Sequence, residues 1–208
     1  AAASLLRHLS SALSGYSLYK GASFLVNRLG SQVASELVTV VDDGTLPGAL
    51  GSKPFDGEGL PTRKKLVLEQ GVLKNYLLDT YSGKKLGYPS TGNAARSVGG
   101  PPGVSPMNFY LLPGTSTPEE IIASVDEGFY VTELIGFGVN LVTGDYSRGA
   151  AGLWIHGGEL AYPVEEVTIA GNLKEILMNI DRVGNDLEMR DRTAAPTLKI
   201  SRMTVAGS

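Results

Sequence analysis

The chain contains no cysteine, which excludes disulfides, thiolate-held zinc, iron–sulfur clusters and cysteine nucleophiles together. Such a composition suits a cytoplasmic protein, the location expected here. Histidine is almost as scarce. His8 and His156 stand far apart, and neither begins a His-Glu-x-x-His pattern. Charged residues make up 19% of the chain, below the usual quarter, an under-charged surface that suits a large buried interface. Eighteen Lys and Arg against 21 Asp and Glu leave a net charge of −3, without the cationic excess that binding a run of phosphates requires. No apolar run approaches the roughly eighteen residues of a membrane-spanning helix. Ala1-Ala2-Ala3-Ser4-Leu5-Leu6 starts like a signal peptide, but Arg7 and His8 interrupt it and no basic segment precedes it. The first residue is Ala and not Met, which leaves open that the chain is a piece of something longer.

What is abundant is glycine and proline, 27 and 11 of 208 residues, in a chain that is still 42% hydrophobic. That describes a folded protein with many turns. Leu5, Leu6, Leu9, Ala12 and Leu13 recur at helical spacing, so 2–14 reads as a helix stopped by Gly15. Residues 36–41 read as a strand ended by a turn at Asp42-Asp43-Gly44, and 44–61 as an extended loop. Lys64–Glu69 and Val72–Leu78 read as a hairpin turning at Gln70-Gly71. A short helix is expected over 81–86, a long Gly/Pro/Ser-rich loop over 87–106, and a strand over 107–112. Thr117, Pro118 and Glu120 predict a helix with a capping box, closed by Gly128. Strands follow at 129–134, 138–143, 150–156, 159–162 and 167–170, with a tight turn at Gly157-Gly158. A helix capped by Asn172 and boxed by Glu175 runs through Ile180, and 197–205 is a last strand. Strands dominate without regular strand–helix alternation. The expectation is an α+β fold, a mainly antiparallel, barrel- or sandwich-like sheet with a few capped helices, in one domain over 1–208.

Few of the residues look catalytic. Asp42-Asp43 and Asp56-x-Glu58 could offer oxygen ligands to a hard cation, but they lack the spacing of a calcium loop and read as solvated turns. No Gly-x-Ser-x-Gly elbow, phosphate loop or complete dinucleotide fingerprint is present. The segment Gly144-Asp145-Tyr146-Ser147-Arg148-Gly149-Ala150-Ala151-Gly152 stands apart. It places three ionisable side chains and a hydroxyl between glycines, followed by small residues that admit another backbone. The competing reading is a tight turn in which Asp145 pairs with Arg148.

These residues also carry a family likeness. Val131-Thr132-Glu133-Leu134, the run from Thr143 through Gly152 to Trp154, Tyr162-Pro163-Val164, Thr168–Leu173 and Val183-Gly184-Asn185-Asp186 resemble the C-terminal half of the TldD/PmbA family, in its PmbA or TldE branch. Pro54-Phe55-Asp56-x-Glu58-Gly59 and Ser90-Thr91-Gly92-Asn93 fit as well, so the likeness spans nearly the whole chain. The resemblance implies a role in a two-subunit zinc metalloprotease acting on unfolded or modified peptides, whose members also carry an N-terminal domain that these residues lack. In that family the TldD branch holds zinc on a His-Glu-x-x-x-His helix, aided by a late cysteine. Set against that motif, Leu6, Arg7 and Ser11 occupy the metal-site positions, and none can hold zinc or activate its water. No catalytic residue, metal ligand or cofactor is therefore expected in this chain, with zinc in the partner. The expected role is a subunit that pairs with a TldD-type zinc-bearing chain across about 1,600 Å² or more, encloses its chamber and orients peptide as an added strand. Asp145, Tyr146, Ser147 and Arg148 are the candidate peptide or subunit contacts. Two rivals remain: a self-associating peptide-binding module without protease activity, and a DNA-linked regulator, against which the acidic pI of about 5.4 weighs.

Overall fold

A computed structural model describes residues 1–207 and bears out an α+β architecture of mainly antiparallel sheet. In chain order the elements are α1 (Ala2–Ala12), α2 (Gly15–Tyr19), β1 (Val40–Asp43), β2 (Lys64–Glu69), β3 (Val72–Leu73), α3 (Thr80–Leu86), β4 (Ala94–Ala95), β5 (Gly103–Val104) and β6 (Asn108–Leu111). The second half adds α4 (Pro118–Ala123), β7 (Glu127–Ile135), β8 (Asp145–His156), β9 (Glu159–Asn172), α5 (Leu173–Met178), β10 (Ile180–Val183), β11 (Thr193–Ala194), β12 (Leu198–Ile200) and β13 (Thr204–Ala206).

Two sheets dominate. The first runs β11-β6-β1-β2-β3, antiparallel except for the parallel β11–β6 pair. The second runs β13-β9-β8-β7 and holds the three longest strands. Two-stranded pairs β10–β12 and β4–β5 complete the set, and all sheets are open rather than closed into a barrel. Helix α1 links the halves. Its leucines at 5, 6 and 9, with the capping Leu13, are buried in the main core with Phe109 and Leu111 of β6, and that core continues through Tyr146 and Ala150 of β8 to Val167 and Ile169 of β9. The sequence spacing that predicts the helix also builds this face.

Several boundaries differ from expectation, each for a tertiary reason. Gly15 does not end the helical region; Leu13 caps α1 and Gly15 opens α2. The first strand lies at Val40–Asp43 rather than 36–41, so the two aspartates expected in a turn are central-strand residues. Asp42 stands in register with Lys65 of β2 and Phe109 of β6, and its carboxylate is compensated by the Lys65 ammonium and by donors from Asn93 and Met107, which makes its burial possible. The second hairpin strand shortens to Val72–Leu73, and two short strands form within 87–106. The α4 capping box is present as expected, but the helix ends at Ser124 and Gly128 belongs to β7. Residues 138–143 make a turn with a single bridge from Val139 to Tyr146, not a strand.

Segments 159–162 and 167–170 join into one strand, β9, across Pro163. Proline is tolerated there because β13 pairs only with Thr168–Ala170, leaving the outer side of β9 without a strand partner at position 163. Glu166, at φ 56°, lies in the same stretch, where the β8–β9 register shifts. Asn172 caps α5 through the backbone of Lys174, without a reciprocal box, and Ile180 belongs to β10. The last strand splits into β12 and β13.

Candidate functional site

The segment singled out by the sequence is the start of β8. Gly144, at φ 92°, makes the turn, so Asp145 begins a strand in register opposite Asn172. A β-strand sends alternate side chains to opposite faces, and the candidate quartet divides accordingly. Asp145 and Ser147 are exposed, whereas Tyr146 is buried and Arg148 half-buried. The expected tight turn with an Asp145–Arg148 pair does not form. Asp145 instead accepts from the Thr143 hydroxyl at 2.6 Å and from Asn172 Nδ2 at 3.2 Å. Ser147 ties its amide to the Gly138 carbonyl at 2.7 Å.

Tyr146 and Arg148 meet α1. Arg148 donates to Ser4 Oγ at 3.0 Å and to the Leu134 carbonyl at 3.2 Å. The Tyr146 ring lies edge-on to His8, with centroids 6.0 Å apart and planes at 79°. Burial raises the Tyr146 pKa above its ordinary value, with Arg148 opposing. Burial also lowers that of His8, and the cationic Arg148 and Arg7 push it further down. His8 is therefore part of the contact between α1 and β8. Ser4 and His8 stand four residues apart on one helix face, and that spacing is the signal that could have joined them in advance.

The three positions set against the family's metal motif have other occupations. Leu6 is buried in the core. Arg7 pairs with Asp191 at 2.9 Å, and Asp191 is held below its ordinary pKa first by the Arg192 amide and then by Arg7. The Ser11 hydroxyl donates to the Arg7 carbonyl at 3.0 Å. A hydrocarbon, a fixed cation and a hydroxyl directed at the backbone do not fit a zinc ion.

The acidic residues considered for a hard cation are also committed. Asp42 takes Lys65 Nζ at 2.9 Å, Asn93 Nδ2 at 2.7 Å and the Met107 amide at 2.6 Å. Asp43 accepts from the amide and hydroxyl of Thr45. Asp56 accepts from the amides of Glu58, Leu60 and Ala94, while Glu58 receives both donors of Thr80.

Two further surface features emerge only from the folded strands. A concavity of about 450 Å³ crosses β7, β8 and β9 over Gly149, Ala150 and Ala151, rimmed by Glu133, Glu165 and Glu166. The outer edge of β7 also has no strand partner among the described residues, and beyond it Ile135, Phe137 and Val142 are exposed, Phe137 almost completely. Among the described residues no helix is long and apolar enough to cross a membrane.

Comparison with known proteins places these features. Residues 1–207 match the family model described as the PmbA/TldA metallopeptidase C-terminal domain. The chain is 40% identical over 206 residues to the metalloprotease PmbA of Escherichia coli O157:H7, covering 99% of this chain and 44% of that protein. Its structure is similar to TldE from Thermococcus kodakarensis, with a TM-score of 0.90 and 31% identity over all of this chain and 48% of that one. It is also similar to a Thermotoga maritima protein suggested to be a modulator of a DNA gyrase, with a TM-score of 0.91 and 36% identity over 99% and 47% of the two chains. The chain thus spans less than half the length of these relatives.

Proposed function

Because this chain belongs to the PmbA/TldD metallopeptidase family, we propose that it is the TldE-type, non-catalytic partner in a two-subunit zinc metalloprotease acting on unfolded or modified peptides. The observation that carries this reading is the donor set on α1. Leu6, Arg7 and Ser11 occupy the positions set against the zinc motif, and Arg7 places a paired guanidinium where a general base would be needed. On this reading the zinc and the attacking water belong to a TldD-type subunit, and this chain supplies walls and a peptide track.

Two surfaces support such a role. The unpartnered edge of β7 offers backbone donors and acceptors to an extended segment, a mode of recognition nearly indifferent to sequence and so suited to unfolded chains. Exposed Ile135 at the end of β7, with Phe137 and Val142 in the turn after it, offers burial to a facing subunit. The Tyr146–Arg148 side of β8 lies next to α1 and would border the shared chamber.

The test is zinc analysis and peptide cleavage on this chain alone, and then after addition of a TldD-type protein. Cleavage only in the mixture, with zinc in the added protein, is the expected result. Cleavage by the isolated chain with bound zinc would overturn the proposal. An inactive mixture, with this chain pairing only with itself, would favour the self-associating binding module.

A further inference from the structure

We infer that Arg148, His8 and Tyr146 form a receiving site for a carboxylate between α1 and β8. The starting point is an accounting of buried polar atoms. Among the described residues three side-chain nitrogen or oxygen atoms are buried with no hydrogen-bond partner: His8 Nε2, Arg148 Nε and Asp79 Oδ2. Buried polar groups are nearly always paired, so each orphan calls for an explanation. Two of the three belong to one contact, the meeting of α1 with the start of β8, and each is a potential donor.

The charges there are unbalanced in the same sense. Arg148 has no carboxylate partner among the described residues; its guanidinium meets a serine hydroxyl at 3.0 Å, a backbone carbonyl at 3.2 Å and the Tyr146 hydroxyl, all neutral. Arg7, on the neighbouring turn of α1, is already matched by Asp191. The titratable groups around His8 are Arg7 on its own helix and Tyr146 and Arg148 on β8, none of which supplies negative charge near neutral pH. One half-buried cation is left with an idle Nε–H and weak neutral acceptors, next to an imidazole whose buried nitrogen is also idle.

The geometry of the guanidinium selects the ligand class. A guanidinium presents Nε–H and one Nη–H side by side, spaced for the two oxygens of a planar carboxylate. A single uncompensated cation suits a monoanion; a phosphate dianion would call for more positive charge than this corner offers. A carboxylate would replace the 3.2 Å bond to the Leu134 carbonyl with a charge-assisted pair and accept from His8 on its other side. The identity of the ligand as a peptide rests on the proposed function; the affinity for a carboxylate does not. A peptide could offer either its C-terminal carboxylate or an Asp or Glu side chain.

The experiment uses the whole chain and follows the His8 ring and Arg148 Nε–H signals by NMR. The probes are N-acetyl-Ala-Ala with a free C-terminus, the same dipeptide as its C-terminal amide, and N-acetyl-Asp-Ala amide. A saturable response to the free acid, absent with the dialanine amide, is expected. A matching response to the Asp-bearing amide would extend the site to side-chain carboxylates, and its silence would confine it to C-termini. Arg148→Lys, which keeps the charge but loses the fork, and His8→Gln should each weaken binding, the former by about tenfold. No response to either carboxylate, an equal response to the dialanine amide, or unchanged affinity in both variants would overturn the inference and leave the two orphans to a buried water. Cleavage in the two-subunit mixture is scored separately. A silent carboxylate site in an active mixture refutes the site alone, and a working site in an inactive mixture refutes the pairing alone.

Discussion

Asp42 is fully buried, and its two oxygens receive an ammonium, a side-chain amide and a backbone amide from three different parts of the chain. Losing one member of a buried ion pair leaves the other charge without compensation, typically at about 3–5 kcal/mol. Lys65→Met should lower the stability of the chain by that order in urea unfolding, and adding Asp42→Asn should restore part of the loss. Absence of any recovery would place the cost in packing instead of charge. At the opposite extreme of exposure, Glu127 accepts from both the Trp154 indole and His156. The hydrogen bond to Glu127, then its charge, raises the His156 pKa above 6.5, while His156 first and Trp154 second lower that of Glu127 below 4.5. The attraction is therefore complete only between those limits, fading as pH rises through the raised His156 value and as it falls through the lowered Glu127 value. Trp154 is the only tryptophan, so its emission should titrate with a midpoint above 6.5 that returns toward 6.5 in Glu127→Gln. A midpoint indifferent to that substitution would show that the pair does not form in solution.

At the scale of elements, signals within a few residues survive folding and long-range ones do not. The α4 cap was readable because Thr117, Pro118 and Glu120 act on one another's own backbone, and both halves of the box are formed. Thr117→Ala should cost about 1 kcal/mol in urea unfolding. An unchanged midpoint would mean that Pro118 and buried Ile121 alone fix the helix start. The β1 boundary could not be read, because an aspartate pair looks like a turn until Lys65 and Asn93 are known to lie beside it. The start of β8 misled for a related reason. Its flanking glycines allowed a tight turn pairing Asp145 with Arg148, whereas Gly152, inside the strand expected over 150–156, lets β7 approach: a Cβ built on it would lie 2.0 Å from the Tyr130 carbonyl oxygen, beside a register shift in the β7–β8 ladder. Gly152→Ala should destabilise by about 1–3 kcal/mol and raise amide exchange along β7 more than along β9. Uniform exchange would mean that the ladder absorbs the methyl group. The site residues share this division. The quartet at 145–148 was visible as an unusual segment, but its separation into two faces, and the recruitment of Ser4 and His8 to one of them, needed the strand and the helix together.

The whole molecule joins a five-stranded sheet of short strands with a buried centre to a four-stranded sheet built on three long strands. In the first sheet β1 and β6 are buried along their full lengths, which leaves that sheet little free surface near its centre. The second sheet extends three long strands, keeps the outer edge of β7 unpaired among the described residues, and ends at one side in the turn bearing Ile135, Phe137 and Val142. Exposed apolar side chains gathered at one end of an open sheet suit a surface that another chain covers, and one well-buried aromatic can dominate such a contact. Phe137 is 99% exposed, so removing it takes nothing from the core. Phe137→Asp should therefore leave the unfolding free energy within about 0.5 kcal/mol of the parent. If the turn seats a TldD-type subunit, the same change should weaken association by about tenfold or more, because a carboxylate would be desolvated in the contact. Sedimentation or calorimetric titration of the mixture measures this directly. Equal affinity for the two chains would remove the turn from the interface and make the open β7 edge the next surface to test.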